Sequence, residues 1–220
     1  MAAPLIGAAL NVAVTVGRTL LNAVTNAVRS GTQQVLQKAS TKWFNKIVKT
    51  KLAKYALKQM RTPGQILAQS ERTTFWEAGG MYFFAYDPKH KKTLPYYDMF
   101  PLVLPIEKYT DGFLGINFHY LYLKDRAILL DQLMAFANNK ELDETTKIKL
   151  SYQSLGNFTK YRRARPCIHR YLDQHMRSPM VPVGAEDWGT ALFLPVERFK
   201  GMDKTHVWAE SRSIMQNIHL

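Results

Sequence analysis

Between Gly79 and Leu123 the chain reads GGMYFFAYDPKHKKTLPYYDMFPLVLPIEKYTDGFLGINFHYLYL, and no other stretch limits its fold as strongly. Three short runs rich in aromatic and β-branched residues, Met81 to Tyr86, Met99 to Ile106 and Phe113 to Leu121, are separated by clusters of Asp, Pro, Lys and Gly. That is the pattern of consecutive strands in a small antiparallel sheet. Asp87-Pro88 closes the first run, Leu94-Pro95 precedes Tyr96-Tyr97-Asp98, and Asp111-Gly112 supplies a tight turn before the third. In the third run Phe113, Gly115, Asn117 and His119 alternate with Leu114, Ile116, Phe118 and Tyr120, so one packed face and one small or polar face are expected.

Around this unit, 220 residues at 46% hydrophobic suffice for one sizeable core, or one core with an attached arm. The single Cys167 excludes an internal disulfide framework and a multi-cysteine zinc site, which fits a reducing compartment. It reads as a small buried hydrophobe.

Charge is distributed unevenly. Residues 1–70 contain ten Lys or Arg and no acid, so +10 of the net +13 lies in the first third, while the remainder carries 20 basic and 17 acidic groups. Such asymmetry points to contact with a polyanion. Residues 1–17 are uncharged and Ala/Val-rich, but Asn11, Thr15 and Gly17 dilute them and Arg18 follows rather than precedes them. Neither a membrane span nor a secretory signal is expected, and a membrane is not an expected partner.

A helix is expected from Ser40 to Arg61, capped by Ser40-Thr41 and stopped by Thr62-Pro63-Gly64. Phe44, Val48, Leu52 and Tyr55 share one stripe, which Trp43 and Ile47 widen. Lys42, Lys46 and Lys49 lie opposite, and Lys51, Lys54 and Lys58 flank the apolar side. For any one of these lysines a solvated helix face suffices, but with no acid to neutralise them the full set suits DNA phosphates. The helix has no array of base-reading side chains, so affinity without sequence specificity is expected.

Further on, helices are expected at Lys124–Asn138, Thr145–Phe158 and Tyr161–Met176, a strand at Thr190–Val196 reached through Val181-Pro182-Val183, and a terminal helix at His206–Gln216. Lys160, Arg162, Arg163, Arg165, Arg170 and Arg177 form a second basic cluster. Tyr161, His169, Tyr171 and His175 are interleaved with it, which suits phosphate and base-stacking contacts at an opened DNA end. The same arginines could instead pair with Asp173 or Glu186.

The organisation expected is a basic, acid-free helical arm (1–62), a linker (63–78) and an α+β body (79–220). Within the body fall a β-unit (79–123), a helical region (124–178) and a strand with a terminal helix (181–220). The fold class is α+β, a small SH3-like antiparallel barrel or sheet packed by helices.

Catalysis is not expected. Asp87, Asp98, Glu107, Lys108 and His119 fall on or beside neighbouring strands, but Glu107 and Lys108 are adjacent and would point to opposite faces, and Asp87-Pro88 and Asp98 are turn formers. Histidines and acids show no metal-ligand spacing, and there is no phosphate-binding glycine loop, so neither metal nor cofactor is expected.

The run YFFAYDPKHKKTLPYYDMFPLVLPIEKYTDGFLGINFHYL, followed by KLSYQSL, RARPCIHRYLDQHMRS and DWGTALFLPVERF, resembles the DNA end protector family of T-even-type tailed phages and their cyanophage relatives. The resemblance spans roughly residues 75–212, leaving the Ala-rich segment 1–38 outside it. It implies a late phage protein that binds termini of linear double-stranded DNA. Such a protein travels in the virion head, enters the host cytoplasm and shields the ends from host exonuclease. The alternative is a structural component of head, neck or baseplate, anchored to other virion subunits through residues 1–38.

Overall fold

A computed structural model of the chain describes residues 19–56, 76, 80–137, 162–195 and 197–216. Its centre is a five-stranded antiparallel sheet of order β5-β4-β3-β1-β6. The strands are β1 (Met81–Phe83), β3 (Leu102–Tyr109), β4 (Gly112–Asn117), β5 (Ile168–Leu172) and β6 (Val181–Val183). Strands β2 (Tyr97–Asp98) and β7 (Phe199–Lys200) pair separately. Helices α1 (Thr19–Arg29), α2 (Gln33–Ala56), α3 (Leu123–Ala137), α4 (Trp188–Leu192) and α5 (Lys204–Gln216) complete the order.

The expected β-unit forms, in shorter pieces. The first run is a strand only to Phe83, followed by an isolated antiparallel bridge between Tyr86 and Met176. The second is shifted to Leu102–Tyr109. The third ends at Asn117, where its side chain accepts the His119 N–H and turns Phe118–Tyr120 into a 3-10 helix. A reversal at Asp111-Gly112 joins β3 to β4 in the register Tyr109↔Gly112.

Gly112 has φ +156°, and a Cβ there would overlap the carbonyl oxygen of Tyr171 on β5. Gly112→Ala should therefore break the pairing at that end of the β4–β5 ladder. We expect a loss of about 2 to 4 kcal/mol, read as a lowered midpoint in urea, since both backbone conformation and close approach fail together.

Both faces of β4 are buried, contrary to the expected polar face, because two clusters sandwich the sheet. On one face Phe83, Leu104, Ile116 and Phe118 meet Leu130 and Leu133 of α3 and Trp188 and Leu192 of α4. On the other, Phe84, Tyr86, Phe113 and Tyr171 pack edge-on or stacked at centroid distances of 5.0 to 6.2 Å, with Trp76 and Met176 over them.

Four other expectations need correction. Tyr161–Met176 is not a helix: Arg162–Cys167 and Asp173–His175 are 3-10 turns around strand β5. Pro166 cannot donate a helical hydrogen bond, and Ile168 and Tyr171 pair with Ile116 and Phe113. Thr190–Val196 is not a strand either; the strand is Val181–Val183 itself, against β1, and Trp188–Leu192 is a helix. A short apolar run does not distinguish the two by pattern alone. The sheet closes no barrel, and among the described residues its edges β5 and β6 do not pair, so the SH3-like closure is absent. Finally, the second helix begins at Gln33, not Ser40, and the segment Thr145–Phe158 lies outside the described residues. Lys124–Asn138 and His206–Gln216 correspond to α3 and α5, although Ile128 of α3 is exposed.

Helices α1 and α2 form a hairpin through Gly31, whose φ of +67° suits the left-handed residue that ends a helix. Their acid-free sequence is compensated from the body. The backbone N–H groups of Leu20 and Leu21 donate to the two carboxylate oxygens of Asp131 on α3, at 2.9 and 3.0 Å, so α1 is capped from a distant element. Leu20, Val24 and Ala27 are buried in the main core, and Ser40, almost fully buried within α2, donates to the Thr190 carbonyl at 2.6 Å. Phe44 meets Phe83 edge-on at 5.1 Å.

Candidate nucleic-acid interface

Two basic surfaces emerge. Along α2, Lys38, Lys42 and Lys46 recur every fourth residue and are exposed, on a helix that contains no acid. Phe44 lies on the packed side, as expected. Lys49, Lys51 and Lys54 belong to the same helix, though their side chains are not described, and Lys58 lies outside the described residues. Ser40 is not a cap; it fastens α2 to α4.

The second surface is a cleft of about 570 Å³ bounded by residues 86–98, the end of β4, strand β5 and the turn Arg162–Cys167. Tyr86, Tyr96, Tyr97, Tyr120, His169 and Tyr171 line it, and Lys89, His90, Arg165 and Arg170 stand among its walls. Two members of the expected arginine cluster are therefore brought to one place. Arg165 is exposed, without a carboxylate partner among the described residues, whereas Arg170 is tied to Asp111 and lies 3.8 Å over the Tyr109 ring. Arg177 pairs with Asp87 at 3.4 Å. Arg162 and Arg163 fall on the turn without described side chains, and Lys160 lies outside the described residues.

Lys89, His90, Tyr96 and Tyr120 were not singled out by the sequence as site residues. Their signal was the basic run Lys89-His90-Lys91-Lys92 beside Tyr96-Tyr97, which reads as turn punctuation until the fold sets it against β5. Lys91 is spent on Asp87, at 2.7 Å, and the hydrogen bond from Lys91 is the main reason that carboxyl is held below its usual range. Lys89 and His90 have no such partner among the described residues and are exposed.

The aromatic part of the lining is neutral. Burial pushes the Tyr96 phenol up to about 12, helped by its hydrogen bond to Glu210, and raises Tyr120 and Tyr171 further. Burial also lowers His169 to about 4, so near neutral pH it is an uncharged imidazole, with Nε2 3.0 Å from the Pro166 carbonyl and its ring 4.2 Å from that of Tyr120. The acid at the floor, Asp98, is fully engaged. It accepts from the Phe100 N–H at 2.9 Å, from Asn117 Nδ2 at 3.0 Å and from His119 Nδ1 at 2.7 Å.

Behind His119 a second polar layer holds the floor in place. Arg126, almost wholly buried, donates to the carbonyls of Leu121 and His119 and to Glu197 Oε1 at 2.7 Å, and Trp208 Nε1 donates to the same His119 carbonyl at 2.8 Å. The carboxylates and histidine weighed for nuclease chemistry do not converge. Asp98 and His119 form a buried pair, Asp87 is held by Lys91 and Arg177, and Glu107 and Lys108 face solvent from β3. Among the described residues no three His, Cys, Asp or Glu could share a metal ion. Cys167 is buried, its thiol pushed up to about 12, and inert.

A mixed helix-and-sheet body with an acid-free basic helix and a neutral aromatic cleft ringed by cations belongs to the class of basic proteins whose surface suits a polyanion. A family model described as the phage T4 terminal DNA protecting protein matches residues 13–216, nearly the whole chain, and the chain belongs to that family. The match reaches further toward the N-terminus than the resemblance over 75–212, so α1 and α2 are part of the family region. No curated protein and no solved structure matches the chain. No helix among the described residues is long and apolar enough to cross a membrane.

Proposed function

We propose that this protein binds the two ends of linear double-stranded phage DNA without cleaving them and shields them from a host exonuclease. Membership of the terminal DNA protecting family carries the reading. The surface supports it chemically: exposed lysines along α2, and the cations Lys89 and Arg165 with His90 beside them, offer phosphate contacts that need no base sequence. Carriage in the virion head, followed by release with the DNA into the host cytoplasm, follows from the same reading, because an end can be protected at entry only by a protein already on it.

The test is exonuclease digestion of linear duplex with and without the protein, with covalently closed circles as competitor. Protection that survives an excess of circles supports the reading. Protection abolished by circles at the same mass as the linear duplex would overturn end binding and favour a general DNA coat or a structural virion role.

A further inference from the structure

The cleft between residues 86–98 and β5 combines two properties. Its inner lining includes phenol rings and a neutral imidazole, and its acidic floor group is consumed by three internal hydrogen bonds. Its mouth carries the cations Lys89 and Arg165, with the His90 ring beside them, none with a carboxylate partner among the described residues. A ligand that satisfies both parts is a planar, uncharged ring joined to an anion.

We propose that the cleft receives the unpaired terminal nucleotide of a DNA strand, its base against Tyr96, Tyr120 and His169 and its phosphate against Lys89, His90 and Arg165. This deepens, and rests on, the end-binding reading. Bases in the duplex interior are paired and stacked and would have to be flipped out to enter, whereas a frayed or overhanging terminal base is already free. Recognition of an end is then divided between two surfaces. The α2 lysines hold any duplex through phosphates, and the cleft alone distinguishes a terminus from the interior. About 570 Å³ is ample for one nucleotide and within the range of small-ligand sites.

The experiment uses the full chain and a single-stranded trinucleotide whose terminal base is the fluorescent 2-aminopurine, supplied with a 5′-phosphate, a 3′-phosphate or neither. Binding should quench the fluorescence, and stacking of one base should make the trinucleotide about 5- to 150-fold tighter than an abasic analogue. The double variant Lys89→Gln, Arg165→Gln alters only exposed, unpaired side chains and should weaken the phosphorylated probe at least 10-fold while leaving the melting temperature unchanged. A loss confined to the 5′- or to the 3′-phosphorylated probe supports the proposal and assigns the strand. Equal binding of trinucleotide and abasic analogue, or a double variant as tight as the parent, overturns it.

The two readings fail separately. Ends protected without trinucleotide binding sink the cleft assignment alone, and rim-dependent trinucleotide binding without end protection sinks end protection alone and leaves a nucleotide site.

Discussion

Replacing Lys38, Lys42 and Lys46 with glutamine lowers the slope of log affinity against log salt for linear duplex by about 3 units and weakens binding on the order of 100-fold at physiological salt. Each lysine that neutralises a phosphate releases close to one condensed counterion, about 0.9 per contact on duplex DNA. The three project from α2 at every fourth residue and are exposed, while the helix is fastened by Phe44, Ser40 and its neighbours on another side. The melting temperature should therefore hold. The loss should be the same for any sequence and for circles and linear molecules alike, because backbone contacts carry no base information. A filter-binding or anisotropy titration at four salt concentrations checks it. An unchanged slope would remove α2 from the DNA surface.

Arg126→Ala is expected to be the most damaging single substitution, at about 3 to 5 kcal/mol, because it leaves the buried Glu197 charge with only Lys204, 3.7 Å away, as an ion-pair partner among the described residues. It also takes away donors to the carbonyls of Leu121 and His119, which steady the floor of the cleft. Arg126→Met combined with Glu197→Gln should recover much of the loss, since a neutral pair of similar volume needs no desolvated charge; chemical denaturation of the double-mutant cycle measures the coupling.

Acid should act through the same pair. Burial opposes ionisation of Glu197, but Arg126, His119 and Lys204 together outweigh it and hold the carboxyl at about 2, below the ordinary 4.5. A carboxyl whose folded value is depressed stabilises the fold above its unfolded value. Roughly 3 kcal/mol should therefore be present at pH 7 and fade as pH falls from about 4.5 towards 2. Thermal melts of Glu197→Gln should show that portion of the acid dependence removed.

Much of the sheet could be read from the sequence because its turns are marked locally. Asp111-Gly112 sits where the β3–β4 reversal forms, and the aromatic runs around it can go nowhere but a core. Strand β5 was hidden because Arg170 and its basic neighbours mask a strand buried mainly at Tyr171. Its pairing partner, β4, decides the conformation. The apolar run at 190–196 carries no punctuation that separates strand from short helix, and packing on α2 and α3 settles it. Of the candidate site, the lysines of α2 were legible from the absence of acids. The cleft was not, since Lys89, Tyr120 and Arg165 meet only after three separate segments are folded together.

The pairing of β1 with β6 bears on how the chain is made. β1 lies between β3 and β6, and its second partner, Pro182 opposite Tyr82, is about a hundred residues downstream. On the ribosome Met81 to Phe84 must therefore wait, half covered, until synthesis has passed Val183, and closing so long a loop is slow.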